Sequence, residues 1–174
     1  CLFGAIREQM DALDADGIAY DDTPGVSSFC GAAAALNAEY TLPTVSQTVI
    51  ITRMEGRTPV PERETLARLA SHGATMVIFL SIGLVDKVQE ALLQGAYTPG
   101  TPAAVVYKAT WPEEKIVRCS VGTLAESVHA AGITMDEGLD HRPRRRNLIV
   151  GGQHGWAEPV VEGRGVVALP GAHP

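Results

Sequence analysis

Thr75–Leu80 reads TMVIFL, an unbroken apolar run. Successive side chains of a strand point to opposite faces of its sheet, so a strand that is apolar throughout needs cover on both sides. The chain therefore has to bring other elements to both faces of this segment. Its neighbours supply candidates. Gln47–Arg53 (QTVIITR) is β-branched and apolar and predicts a second strand. Ala103–Tyr107 and Lys115–Ser120 predict two more, paired across a Trp111-Pro112 corner, and Leu148–Val150 predicts a last one. Ile18–Tyr20 reads as a short strand ending at the Thr23-Pro24-Gly25 turn.

Helical patterns alternate with these runs. Leu2, Ile6, Met10 and Leu13 recur at three- and four-residue spacing and outline one apolar helix face. Ser27 or Ser28 stands where an N-cap belongs, before a helix running through Leu36 whose Ala32–Ala35 stretch gives it a small-residue surface. Met54–Val60, with Gly and Pro, reads as a loop. Pro61–Ser71 predicts a helix with proline at its start and acids in its first turn, ended by Gly73. Leu84–Leu93 is amphipathic and closes at Gly95, and Thr123–Ala131 predicts the next helix. Gln153–Pro174 is proline-rich and reads as mostly irregular. Strands with helices between them argue α/β or α+β layers.

Among 174 residues, 45% are hydrophobic and 20% charged, which suits an ordinary soluble globular protein with one domain or two small ones. The net charge of −6 argues against a nucleic-acid partner or an anionic membrane surface. The one basic run, His141–Arg146 (HRPRRR), is short and holds a proline. It reads as a solvated loop before a strand, with a contact to phosphate or carboxylate as the other reading. Cys1, Cys30 and Cys119 show no CxxC spacing, and His72, His129, His141, His154 and His173 are scattered, so no metal site is expected. Sparse, odd-numbered cysteines fit a reducing cytoplasm. Cys30, inside an apolar run, reads as a small buried hydrophobe. With no run of about 18 apolar residues and no signal-peptide pattern, neither a membrane span nor a membrane partner is expected.

Thr101–Arg118 (TPAAVVYKATWPEEKIVR), Pro24–Ala35 (PGVSSFCGAAAA) and Val45–Pro61 (VSQTVIITRMEGRTPVP) carry more than a fold pattern. In wording and in order, the three segments resemble the tetrapyrrole methylase family over roughly residues 1–150. The resemblance implies an α/β fold with a mixed sheet flanked by helices, mostly the family's second domain. Residues 1–23 would be a remnant of a preceding domain, 24–152 the second domain and 153–174 an irregular tail. The chain opens just after the place of the family's Gly-Asp-Pro loop, so one half of the donor pocket is expected here.

The implied activity is methyl transfer from S-adenosylmethionine to carbon 11 of precorrin-4, or of its cobalt form, in cobalamin biosynthesis. Methylation of uroporphyrinogen-III or precorrin-2 is the alternative, and an inactive dimerising remnant is the third reading. A tetrapyrrole substrate and a homodimer are implied as well. Methyl transfer from a sulfonium is an in-line displacement, which asks the protein mainly to hold two molecules in line. Small residues, backbone donors and apolar walls are the fitting signature.

Read alone, Ser27 and Ser28 cap a helix, Leu80 is a core leucine and Ala109 is part of a tight corner. The resemblance makes all four donor contacts, with Leu2 as a fifth, and helix N-termini do accept anionic groups. Arg53, Arg57 and Lys108 read alone as solvated charges. A tetrapyrrole bearing many carboxylates makes them candidate substrate contacts. Trp111 could stack on a macrocycle face, although a corner tryptophan more often packs. No catalytic acid or base is singled out.

Overall fold

The apolar run becomes strand β2 (Thr75–Phe79), and each of its residues is buried. It lies second in a five-stranded sheet with β1 (Val49–Arg53), β3 (Pro102–Tyr107), β4 (Lys115–Ser120) and β5 (Arg146–Val150), in the order β1-β2-β5-β3-β4. These positions come from a computed structural model that describes residues 2–3 and 6–133, and the backbone of 146–150. β1 runs parallel to β2, whereas β5 is antiparallel to both β2 and β3. β1, β2 and β3 therefore point the same way and end along one edge. Across that edge Arg53 stands opposite Phe79, Phe79 opposite Asn147, and Asn147 opposite Val106.

Cover comes from both sides. Met76 and Ile78 of β2, with Val105 of β3, pack under α3 (Leu66–Ala70), α4 (Val85–Leu93) and α5 (Leu124–Ala130). Val77, Phe79, Ala104 and Val106 pack under α2 (Ser28–Leu36) through Ala32 and Leu36. Full burial of Met76 and Ile78 is worth about 1.5–3 kcal/mol each. Arg118 of β4 reaches across to donate from Nη2 to the Leu36 carbonyl at 3.0 Å, where α2 ends and its carbonyls lack helical partners.

Several expectations needed correction. Ile18–Tyr20 forms no strand. Both Ile18 and Tyr20 are exposed, and the segment pairs with no neighbour that would supply backbone hydrogen bonds. The first helix, α1, starts at Ile6 and ends at Ala15, and it buries no residue. Pro61–Ser71 is not one helix. A 3-10 turn at Glu62–Glu64 is separated from α3 by extended Thr65, and Leu66 and Ala70, one turn apart, both enter the core. Cys30 is exposed, not buried. On α2 the buried stripe runs through Ala32 and Leu36, and a residue two places from Ala32 points away from that stripe. Ser27 does take the N-cap position, yet its hydroxyl caps nothing; its backbone carbonyl instead receives the Cys30 and Gly31 N–H groups at 3.0 and 3.4 Å.

Gly95 ends α4 for a different reason from the usual left-handed cap. A Cβ there would fall 2.5 Å from Ala70 Cβ and 2.6 Å from the Ala70 carbonyl carbon. Glycine permits the C-termini of α3 and α4 to touch, and the Ala96 N–H completes the contact on the Ala70 carbonyl at 3.1 Å.

No helix among the described residues is long and apolar enough to cross a membrane, and no group of three or more His, Cys, Asp or Glu there could hold a metal. Cys1, residues 141–145 of the basic run, the tail from 153, and with them His141, His154 and His173, lie outside the described residues.

Candidate functional site

Three of the six described non-glycine residues with positive φ follow the ends of β2 and β3, the others being Phe3, Asn37 and Thr44. Leu80 has φ 54°, Lys108 has φ 51° and Thr110 has φ 70°, and none is glycine. A left-handed residue with a Cβ costs of order 1 kcal/mol or more, and such residues gather at functional sites. Leu80 is not the core leucine that its position after an apolar strand implies. Its left-handed turn carries the side chain out of the core, and it is 52% exposed.

Ser81 secures that turn. It is only 1% exposed; its hydroxyl donates to the Phe79 carbonyl at 2.6 Å and accepts the Met54 N–H at 2.8 Å. The end of β2 is thereby tied to the loop that leaves β1. Sequence reasoning passed over Ser81. The available signal was a lone hydroxyl directly after a fully apolar strand.

Ala109 is buried between two left-handed residues and shares a cluster with Phe79 and with Ala32 of α2. The first turn of α2 abuts it: a Cβ on Gly31 would lie 3.7 Å from Ala109 Cβ and 3.2 Å from Thr110 Cγ2. Ser27 and Ser28 are half-buried at the start of the same turn. On the β2 side the Phe3 ring stands 5.7 Å from the Phe79 ring, which brings the exposed Leu2 to this end of the sheet. Leu2, Ser27, Ser28, Leu80 and Ala109 thus gather at one corner, linked through the Phe3–Phe79 and Gly31–Ala109 contacts. The surface they offer is uncharged and built from small or apolar side chains and backbone.

The cationic candidates behave differently from one another. Arg53 turns back on its own loop, donating to the Thr58 and Pro59 carbonyls at 3.1 and 3.2 Å and to Met54 at 3.4 Å. Those bonds make it a brace for loop 54–59. Arg57, in that loop, is exposed. Lys108 sits beside the corner with its side chain 19% exposed, its Nζ 3.7 Å from Glu113 Oε1 and 5.5 Å from the centre of the Tyr107 ring. Trp111 at the tip is exposed and is not part of the packing.

Burial pushes the Tyr40 and Tyr97 phenols well above the usual tyrosine range, and each donates to a carbonyl, of Phe29 and Ala74 respectively. Burial also raises the Cys119 thiol.

A family profile for the tetrapyrrole (corrin/porphyrin) methylases matches residues 1–125. The chain belongs to this family. This tetrapyrrole methylase is 54% identical over 132 residues to the cobalt-precorrin-4 C(11)-methyltransferase of Methanocaldococcus jannaschii, a match spanning 76% of this chain and 51% of that relative. It is 45% identical over 134 residues to the precorrin-4 C(11)-methyltransferase of Mycobacterium tuberculosis, spanning 76% and 53%. The X-ray structure of a cobalt precorrin-4 methyltransferase of cobalamin biosynthesis superposes with a TM-score of 0.77 at 45% identity, over 86% of this chain and 59% of that one. The methylase chain therefore spans about half the length of the curated relatives it matches, and its α/β layers are the fold that the resemblance implied.

Proposed function

We propose that this chain is part of an S-adenosylmethionine-dependent C-methyltransferase acting at carbon 11 of cobalt-precorrin-4 or precorrin-4 in cobalamin biosynthesis. The observation that carries the reading is the corner at the ends of β2 and β3, in a chain 54% identical to a methyltransferase so named. Leu80 presents its strained backbone and exposed side chain there, and Ala109 leaves room beside α2. An uncharged surface of this kind suits an adenosine and a thioether chain, and the first turn of α2 at Ser27 and Ser28 suits the donor's polar end.

The donor, when bound, supplies a methyl group on a sulfonium. The residues of this chain bind and orient: Leu80 and Ala109 form walls, Ser27 and Ser28 offer backbone and hydroxyl donors, and Leu2 closes one side. Of the three cationic candidates, exposed Arg57 is the one offered to substrate carboxylates, Lys108 reaches them only by leaving Glu113, and Arg53 acts by shaping the loop that carries Arg57. Holding two reactants in line is most of what such a displacement requires. Residues 24–152 serve as the family's second domain and 1–23 as the end of the first. The working unit is a soluble homodimer.

Titration of the labelled chain with S-adenosylhomocysteine, followed by amide NMR shifts, tests the donor site even at millimolar affinity. The amides of Ser27, Ser28, Leu80 and Ala109 should move together. Shifts confined to another part of the surface would remove these residues from the site.

A further inference from the structure

The corner between β3 and β4 contains an unusual local hold. Lys108 and Thr110 are both left-handed, and a β-branched residue such as Thr110 rarely tolerates that conformation. Something must oppose the strain. Glu114 Oε2 accepts the Thr110 N–H at 2.7 Å. The Trp111 N–H donates to the Lys108 carbonyl at 3.0 Å, and the Glu114 N–H donates to the Trp111 carbonyl at the same distance. Glu114 is thus fastened to the turn by its backbone while its carboxylate pins the turn's most strained residue. Glu113, its neighbour, does something else: its carboxylate faces Lys108.

The pinned residue matters because of what lies on either side. A Cβ on Gly31 would press on Thr110 Cγ2 at 3.2 Å and lie in ordinary contact with Ala109 Cβ at 3.7 Å. Thr110 and Ala109 therefore both stand close to the first turn of α2.

We propose that Glu114 is a positioning residue, whose carboxylate holds Thr110 left-handed and thereby sets the width of the gap between Ala109 and α2. The inference rests on the donor-site reading above. Glu114 touches neither donor nor substrate and moves no proton. It acts only as an acceptor, so its charge is dispensable and an amide oxygen can replace it.

Glu114→Gln keeps an acceptor in place, and Glu114→Ala removes it. Amide exchange of Ala109, Thr110 and Trp111 reads the hold directly, without ligand. Affinity for S-adenosylhomocysteine reads its consequence, and the urea midpoint reports any general loss of stability. Glu114→Ala should speed exchange at these amides and weaken S-adenosylhomocysteine about tenfold, equivalent to ~1.4 kcal/mol. Glu114→Gln should stay within about twofold of the unaltered chain in affinity. A structural role alone would lower the urea midpoint in both variants without separating their affinities. Unchanged exchange in Glu114→Ala, or equal losses in both variants, overturns the proposal. Failure of the unaltered chain to respond to S-adenosylhomocysteine overturns the donor-site reading and with it the pocket role. A normal response combined with unchanged exchange in Glu114→Ala overturns the part of Glu114 alone.

Discussion

Replacing Ser81 with alanine removes one oxygen from the core and two hydrogen bonds with it. The change leaves almost no cavity, so the cost comes from polar groups. The Met54 N–H loses its acceptor at 2.8 Å, and the Phe79 carbonyl loses a donor at 2.6 Å. An unsatisfied buried donor costs about 1–3 kcal/mol. Met54 is half-buried, so water can reach its N–H in part, which places Ser81→Ala at roughly 1–2 kcal/mol. For a chain of this length each kcal/mol lowers the melting temperature by about 2–4 °C. Urea unfolding followed by circular dichroism should show a lower midpoint with an unchanged slope, because the surface exposed on unfolding stays the same. The same variant should loosen Leu80, whose left-handed turn lies between the two bonds. A loss below about 0.5 kcal/mol would refute the idea that Ser81 ties β2 to the loop after β1.

Leu80→Gly should separate stability from binding. It relieves a positive φ at a half-exposed side chain and should stabilise the fold by roughly 0.5–1 kcal/mol in urea, offset in part by glycine's greater freedom when unfolded, while weakening S-adenosylhomocysteine. Gly95→Ala forces a Cβ into the Ala70 backbone and should destabilise by about 1–3 kcal/mol or prevent folding, read from the thermal midpoint. The buried Tyr97 phenol has its folded pKa raised, chiefly by desolvation, so its neutral form is favoured in the native state. That contribution is fully present below the ordinary tyrosine value of about 10 and is lost as pH rises above it. Tyr97→Phe should flatten the alkaline fall in stability, measured as urea midpoints across that range.

Much of the architecture was legible because it rests on local pattern. An all-apolar run needs two-sided cover wherever it lies, and β2 has it. The β3–β4 pair is set by two apolar stretches with a proline corner between them. The α4 helix shows its buried face as a repeat in the sequence. Two segments were misread. Ile18–Tyr20 has strand-like residues, yet it pairs with none of the strands among the described residues. The break at Thr65 reflects where Leu66 and Ala70 have to point, which the helical repeat of the segment does not encode.

The site was legible only in outline. Ser27, Leu80 and Ala109 came from a resemblance, and their gathering at one corner depends on β5 entering between β2 and β3. Ser81, Glu114 and the two close approaches, at Gly31 and Gly95, depend on atoms distant in sequence or on the sign of φ. Neither can be read from residue type.

By itself, the order of residues determined which segments had to be buried and on how many faces, because that requirement depends on the chemistry and spacing of neighbouring side chains. The folded arrangement alone decided which segments meet, on which side Cys30 and Leu80 emerge, and which carboxylate holds which amide. Those outcomes depend on packing between distant parts of the chain, where a shift of an ångström changes the partner.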